Sequence, residues 1–217
     1  SYTDIWESRT AYLSFMRLRI VELHRTLKST GNIFLHCDPT SSHYLKVILD
    51  EVFSEDNFQN EIIWHHQLGA MNVNKRFPSK HDVILFYSKS KNFTFNKQRG
   101  EVTPQMKAKY CHEDADGKYM MSYGKKYYLK GGKPYDDVWE IAALSPTSGE
   151  RVGYPTQKPL SLLERIVSAG SNQGDIVLDP FCGFGTTLVA AQKLNRIAIG
   201  VDDSPEAIAI SRERLTM

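Results

Sequence analysis

No stretch of this 217-residue sequence approaches the roughly 18 consecutive apolar residues that a membrane-crossing helix requires. The opening residues, SYTDIWESRT, lack a basic segment followed by an apolar one, so they do not read as a signal peptide. Cysteine is scarce. Cys37, Cys111 and Cys182 are odd in number and far apart, which argues for free thiols in a reducing compartment, the cytoplasm, over a disulfide framework. Repeats and low-complexity tracts are missing, and neither sign of charge dominates, the net being +2. With 41% hydrophobic residues the chain is no disordered polymer, and its length suits one domain or one domain with an insertion.

What is present falls into three parts. In YLSFMRLRIVELHRTL, Tyr12 to Leu27, apolar residues recur three or four apart (Leu13, Met16, Ile20, Leu23, Leu27), the spacing of an amphipathic helix closed by Ser29-Thr30-Gly31. NIFLHC, Asn32 to Cys37, reads as a short buried strand ended by Asp38-Pro39. A helix from about Ser42 to Phe53 follows, then strands over Glu61 to Leu68 and Asp82 to Lys89 joined by the polar loop GAMNVNKRFPSK. Residues 1–88 are expected to form one half of an α/β sheet.

From Lys89 to about residue 150 periodicity fades. Between Lys89 and Lys133 stand ten Lys and one Arg against four acids, a local balance of +7, with Phe93, Phe95, Tyr110, Tyr119, Tyr123, Tyr127, Tyr128 and Tyr135 interleaved. Such a segment suits a polyanion: Lys75 and Arg76 from the inter-strand loop would join Lys125, Lys126, Lys130 and Lys133 as phosphate contacts. Asn72 and Asn74 either touch the ligand or shape the loop. His65 and His66, adjacent on a strand, point to opposite faces and make a poor chelating pair. Cys111-His112-Glu113 has no second cluster at zinc spacing, so no metal is assigned.

From residue 151 to the end regularity returns. TQKPLSLLERIVSAGS reads as a helix opened by a proline, Ile176 to Asp179 as a strand, Thr186 to Leu194 as a helix, Arg196 to Val201 as a second strand, and AIAISRERL as a last helix. The junction VLDPFCGFGTT, Val177 to Thr187, decides the chemistry. Strand, glycine turn, helix, strand, acid is a nucleotide-type βαβ unit, yet neither familiar phosphate loop is present. Asp179 lies about four residues ahead of Gly183 and Gly185. A carboxylate there would repel a pyrophosphate and attract a cation. A small cofactor with an α-ammonium, a sulfonium and a ribose fits, and S-adenosylmethionine (AdoMet) is that molecule. Gly183 and Gly185 would let the backbone approach it, and Asp202 at the end of the next strand would accept hydrogen bonds from the ribose hydroxyls. Cys182 suits packing better than nucleophilic chemistry.

DPFCGFGTT, Asp179 to Thr187, resembles AdoMet-binding motif I of the DNA amino-methyltransferases, which methylate adenine N6 or cytosine N4. TQKP, Thr156 to Pro159, resembles their motif X, which directly precedes motif I in the β-class order. The likeness runs nearly without gaps from Tyr154 to about Leu215 and is weaker over Ala11 to Lys89.

The resemblance implies an AdoMet-dependent methyltransferase (Rossmann-like) fold: a doubly wound α/β sheet, circularly permuted, with a variable DNA-recognition region inserted at residues 89–150. It implies cofactor contacts from Thr156, Gln157, Lys158, Pro159, Asp179, Pro180, Phe181, Cys182, Gly183, Gly185, Thr186, Thr187 and Asp202, with Lys158 either binding cofactor or capping the helix. The two C-terminal strands cannot cover a sheet alone, so they are expected to join the N-terminal strands.

The implied activity is methyl transfer from AdoMet, leaving S-adenosylhomocysteine, to an amino group of a base flipped out of duplex DNA, adenine before cytosine. Implied partners are double-stranded DNA and a cognate restriction endonuclease, in a bacterial, archaeal or phage modification system, with the chain a monomer or homodimer. The family's motif IV, Asp/Asn/Ser-Pro-Pro followed by an aromatic, does not occur in the sequence. Asp38-Pro39-Thr40 is only an echo of it. Ser1 is therefore expected to lie just past that motif, and the catalytic residues stay unassigned. The alternative is a catalytically inactive or truncated nucleic-acid-binding subunit; a methyltransferase acting on RNA or protein fits the motif form less well.

Overall fold

The computed structural model describes residues 6–66, 73–153 and 156–216. Two compact units result: one of Ser1–Asn96 with Asp137–Met217, and a smaller one of Lys97–Asp136.

In the larger unit, helix α1 (Arg9–Thr26) starts at Ser8, whose hydroxyl accepts the Ala11 N–H at 3.1 Å and so satisfies one of the free donors of the first turn. Strand β1 (Asn32–Cys37), helix α2 (Ser42–Phe53), strand β2 (Phe58–His65) and strand β3 (His81–Ser88) follow. The second strand thus begins earlier than its apolar pattern suggests, and the Gln67–Leu68 end of the expected strand lies outside the described residues. β3 pairs antiparallel with both β1 and β2, and β7 (Val138–Glu140) adds parallel to β2, giving the order β1-β3-β2-β7.

The central place of β3 explains its composition. VILFY alternates between two cores: Val83, Leu85 and Tyr87 pack with Met16, Ile20, Leu45 and Leu49, while Ile84 and Phe86 face Ile62, Trp64, Trp139 and Leu162. A strand covered on both faces reads as a continuous apolar run. Two large polar side chains that enter these cores find partners. Tyr87 donates its hydroxyl to Asp50 at 2.6 Å, and Trp64 donates its indole N–H to the Ile141 carbonyl at 2.7 Å.

Helix α4 (Leu160–Gly170), strand β8 (Ile176–Asp179), helix α5 (Thr186–Lys193), strand β9 (Ile197–Gly200) and helix α6 (Pro205–Thr216) complete this unit. β8 and β9 pair in parallel. Among the described residues they pair only with each other and do not extend the four-stranded sheet, contrary to expectation. Side chains and packing join the two sheets instead. Asn32 donates to the Gly170 carbonyl at 2.9 Å, Lys28 pairs with Asp175 at 2.5 Å, and Phe34 lies where a Cβ on Gly170 would sit. Ile176, Leu178, Ile197 and Ile199 leave one face of the parallel pair apolar and exposed.

The smaller unit holds helix α3 (Pro104–Lys109) and strands β4 (His112–Asp114), β5 (Gly117–Ser122) and β6 (Lys125–Tyr128), a three-stranded antiparallel sheet in the order β4-β5-β6. It is narrower than the expected 89–150 insertion. Residues on either side belong to the larger unit: Asn96 donates to the Ser168 and Ser171 carbonyls at 3.1 and 2.8 Å, and β7 joins the main sheet.

Candidate functional site

The site forms where β8 and β9 end. Their parallel register sets Asp179 beside Gly200, and Asp202 stands two residues beyond. Between the two acids the chain turns through Cys182 to Gly185. Gly183 and Gly185 adopt φ of 49° and 77°, a region that favours glycine. Asp202 fastens this turn: its Oδ2 accepts the Gly183 N–H at 2.8 Å and its Oδ1 accepts the Ser204 N–H at 3.0 Å.

Asp179 Oδ1 accepts the Phe181 N–H at 3.1 Å. Burial holds its carboxyl above the ordinary carboxylate range. The Asp202 charge pushes the same way, and hydrogen bonds from the Thr187 hydroxyl and the Phe181 N–H oppose both. Two carboxylates converging on one loop, one of them reluctant to ionise, make a place that a cation relieves. Thr186, buried, opens α5 directly after the turn. Pro180 is half-buried and Phe181 is exposed, its ring 6.2 Å from that of Phe15 on α1.

Behind the turn stand two residues that sequence reading missed. Ser211 donates to the Gly183 carbonyl at 2.8 Å, and Arg214 donates to the Phe184 carbonyl and to the Thr186 hydroxyl. Both lie on α6, one helical turn apart, and only that spacing from a helix just after the acid hinted at them. A Cβ on Gly185 would meet Ser211 Oγ at 2.7 Å. Gly185 therefore answers to the approach of α6 as well as to its φ. Cys182 is buried against Gly200, and burial first, then the two nearby carboxylates, pushes its thiol up to about 11. That suits packing and disfavours a thiolate.

The TQKP residues fall at a second cluster. Gln157 braces the preceding loop, accepting the Val152 N–H at 2.9 Å and donating to the Glu150 carbonyl at 2.8 Å. Glu150 in turn accepts the Leu160 N–H at 2.6 Å at the start of α4, where buried Pro159 is the N-cap. Lys158 donates to the carbonyl of exposed Thr156 at 3.1 Å. Burial lowers the Lys158 pKa, with the charge of Asp82 opposing.

Asp82 lies 3.0 Å from His36 Nε2 and 3.8 Å from His66 Nε2, with the Trp64 ring edge-on to both imidazoles. Burial disfavours ionisation of Asp82, but the His36 hydrogen bond and the surrounding positive charges outweigh it and hold the carboxyl below its ordinary range. His65 turns to Glu140 at 2.7 Å, so the adjacent imidazoles serve different partners. His36 is next to last on β1 and His66 follows β2. The cluster therefore occupies the strand ends where open α/β sheets bind ligands.

The basic residues divide. Lys75 and Arg76 are exposed beside Phe77, which is 95% exposed; Asn74 is exposed too, and Asn72 lies outside the described residues. In the smaller unit Lys126 is engaged by Asp114 and lies 4.5 Å over the Tyr119 ring, and Lys133 is 3.8 Å from Asp136. Lys126, Lys130 and Lys133 line a cleft of about 810 Å³ with Arg99 and Lys109, and no acid lines it. Lys125 is exposed on the neighbouring hairpin. Among the described residues no three His, Cys, Asp or Glu groups converge to hold a metal ion.

This architecture is that of the DNA methyltransferases. The crystal structure of the M1.HpyAVI–SAM complex superimposes with a TM-score of 0.66 at 25% identity, covering 94% of this chain and 83% of that one. The chain belongs to the DNA methylase family, which matches residues 1–213. Type II methyltransferase M.HpaI of Haemophilus parainfluenzae is 34% identical over 204 residues, 94% of this chain and 59% of its own length. Type II methyltransferase M1.MboII of Moraxella bovis is 31% identical over 211 residues, 94% of this chain and 80% of its own. The chain thus spans little more than half of M.HpaI.

Proposed function

We propose that this chain carries the AdoMet-binding part of a site-specific DNA amino-methyltransferase that modifies adenine N6 or cytosine N4, within a restriction–modification system. The observation that carries it is the pair of carboxylates, Asp179 and Asp202, closing on one glycine turn at the ends of parallel strands. The donor set fits the cofactor: acids for the ammonium and sulfonium, free carboxylate lone pairs on Asp202 for ribose hydroxyls, and backbone at Gly183 for close approach. AdoMet, when bound, supplies an electrophilic methyl group on a positively charged sulfur. Asp179, Phe181 and Asp202 would hold and orient it, with Thr156 to Pro159 and Pro180 to Thr187 shaping the surround.

The order of the parts supports a permuted, β-class arrangement, with the target-base half first and the cofactor half last. Duplex DNA is the substrate, held through Lys75, Arg76, Lys125, Lys130 and the basic cleft that includes Lys126 and Lys133. A flipped base would be presented at the strand ends near His36 and Lys158, where positioning does most of the work. A cognate restriction endonuclease would share the recognition sequence.

The test is transfer of a tritiated methyl group from AdoMet to unmethylated duplex DNA by the gene product, with RNA as a parallel substrate. Label on duplex DNA amino groups supports the reading. AdoMet binding without transfer to any DNA supports the non-catalytic alternative, and transfer to RNA alone overturns the DNA assignment.

A further inference from the structure

The β5–β6 hairpin breaks two rules at one residue. Ser122 pairs with Lys125, so Tyr123 and Gly124 alone make the turn. Both have positive φ, 47° and 73°, the two-residue hairpin geometry that selects Asn, Asp or Gly at its first position. Tyrosine is a poor choice there, since a bulky residue at positive φ is an outlier. Its side chain is also 99% exposed, where water tolerates but does not favour an aromatic ring. Neither folding nor burial accounts for this residue. Sites where local rules fail without a structural gain are places to look for function.

The rest of the hairpin is built to hold that tip out. On one face His112 and Tyr119 stack at 5.4 Å, Tyr119 meets Tyr128 at 5.6 Å, and Tyr128 donates to Asp114 at 3.1 Å. Lys126 completes this network with Asp114, so that acid is already neutralised. Toward the tip Met121 and Lys125 are exposed, and a Cβ on Gly124 would meet nothing within 4 Å. The unit Lys97–Asp136 carries nine Lys or Arg against five Asp or Glu, a net of +4. The result is a braced two-stranded ribbon with a basic flank and an aromatic end. A ribbon of that width fits the major groove of B-form DNA, where apolar contacts and base edges are read.

Resting on the proposed DNA-methyltransferase function, we propose that the β5–β6 hairpin enters the major groove of duplex DNA and that Tyr123 contacts a base pair of the recognition sequence. Lys125 then lies against the neighbouring phosphates. Tyr123 is a specificity residue in this arrangement and takes no part in methyl transfer.

The variant Tyr123→Asn separates this role from folding, because asparagine is favoured in the turn and keeps the hairpin. Melting temperature and AdoMet affinity are expected to be unchanged or slightly raised. Affinity for a duplex carrying the preferred site is expected to fall about tenfold, with the slope of log affinity against log salt unchanged, since no phosphate contact is lost. Tyr123→Phe should keep most of the affinity. Dimethyl sulfate footprinting should show guanine N7 protection by the wild type at one position that Tyr123→Asn exposes. Unchanged affinity and unchanged footprint in Tyr123→Asn would overturn the inference, as would a reduced salt slope or equal loss on single-stranded DNA. A wild-type protein that binds AdoMet but no duplex DNA overturns the underlying function instead, and the inference with it.

Discussion

Replacing Asp202 by alanine separates the role that the geometry shows for this side chain from the one proposed for it. The carboxylate accepts two backbone N–H bonds, from Gly183 at 2.8 Å and Ser204 at 3.0 Å, and so ties the end of β9 to the glycine turn and to the entry of α6. Hydrogen bonds to a charged group contribute about 1.5–3 kcal/mol each, but Asp202 is half-buried and water can replace part of that. A loss of about 2 kcal/mol is the reasonable expectation. For a domain of this size each kcal/mol shifts the melting temperature by about 2–4 °C, so Asp202→Ala should melt about 4–8 °C lower without ligand. The second role, the proposed one, is toward the cofactor ribose. If Asp202 also accepts from the hydroxyls, AdoMet affinity measured by isothermal titration well below the melting transition should fall at least about tenfold, or roughly 1.4 kcal/mol. The two readouts are independent. A lower melting temperature with unchanged affinity would make Asp202 a brace only and refute the ribose contact. An unchanged melting temperature would refute the claim that this acid holds the turn at all.

Other perturbations reach the remaining parts of the site. Gly185→Ala forces a Cβ to within 2.7 Å of Ser211 Oγ at a φ of 77°, so it should cost about 2–4 kcal/mol in urea denaturation; adding Ser211→Gly should recover the steric part only. Because Asp179 titrates above the ordinary carboxylate range and a cationic ligand favours its ionised form, AdoMet affinity should fall as pH drops through that raised value. Asp179→Asn should bind more weakly with a flatter pH dependence by titration calorimetry. For His36, burial lowers the folded pKa below about 6.5, so below that pH the unfolded chain binds more protons. Its contribution to stability is present near neutral pH and is lost as the solution is acidified from about 6.5 down through the lowered folded value. His36→Gln should reduce that slope of the urea midpoint against pH.

The strand–turn–helix geometry of the C-terminal part was legible because its constraints are local. A strand, an acid, two glycines, two threonines and a second acid follow one another within twenty-seven residues, and each side chain is fixed by the turn it occupies. The structure brings Asp179, Gly183, Gly185, Thr186 and Asp202 together as that order implies. What stayed hidden depends on distant approach. Nothing adjacent to Ser211 or Arg214 says that α6 will lie against the turn, and nothing adjacent to Asp82 says that it will stand between His36 and His66. The middle region shows the same limit in reverse. Its strands are short, leave most side chains at least partly exposed, and so carry little periodicity, although β4, β5 and β6 are regular in register.

The expectation that β8 and β9 would extend the N-terminal sheet rested on a sound premise, that two parallel strands cannot bury both faces alone. Among the described residues they do not bury both, for Ile176, Leu178, Ile197 and Ile199 stay exposed. The lateral link is made instead by side chains at the start of the strands, Lys28 with Asp175 and Asn32 with the Gly170 carbonyl. Lys28 precedes β1 as Asp175 precedes β8, so these contacts set the two strands starting at the same level. Phe15 near the Asp179 end meets Phe181 across the top. β1 and β8 therefore run in the same direction, and their C-terminal ends, one carrying His36 and the other Asp179, open toward the same side. That shared direction would let the cofactor site proposed for one sheet and the base-presenting site proposed for the other serve a single reaction.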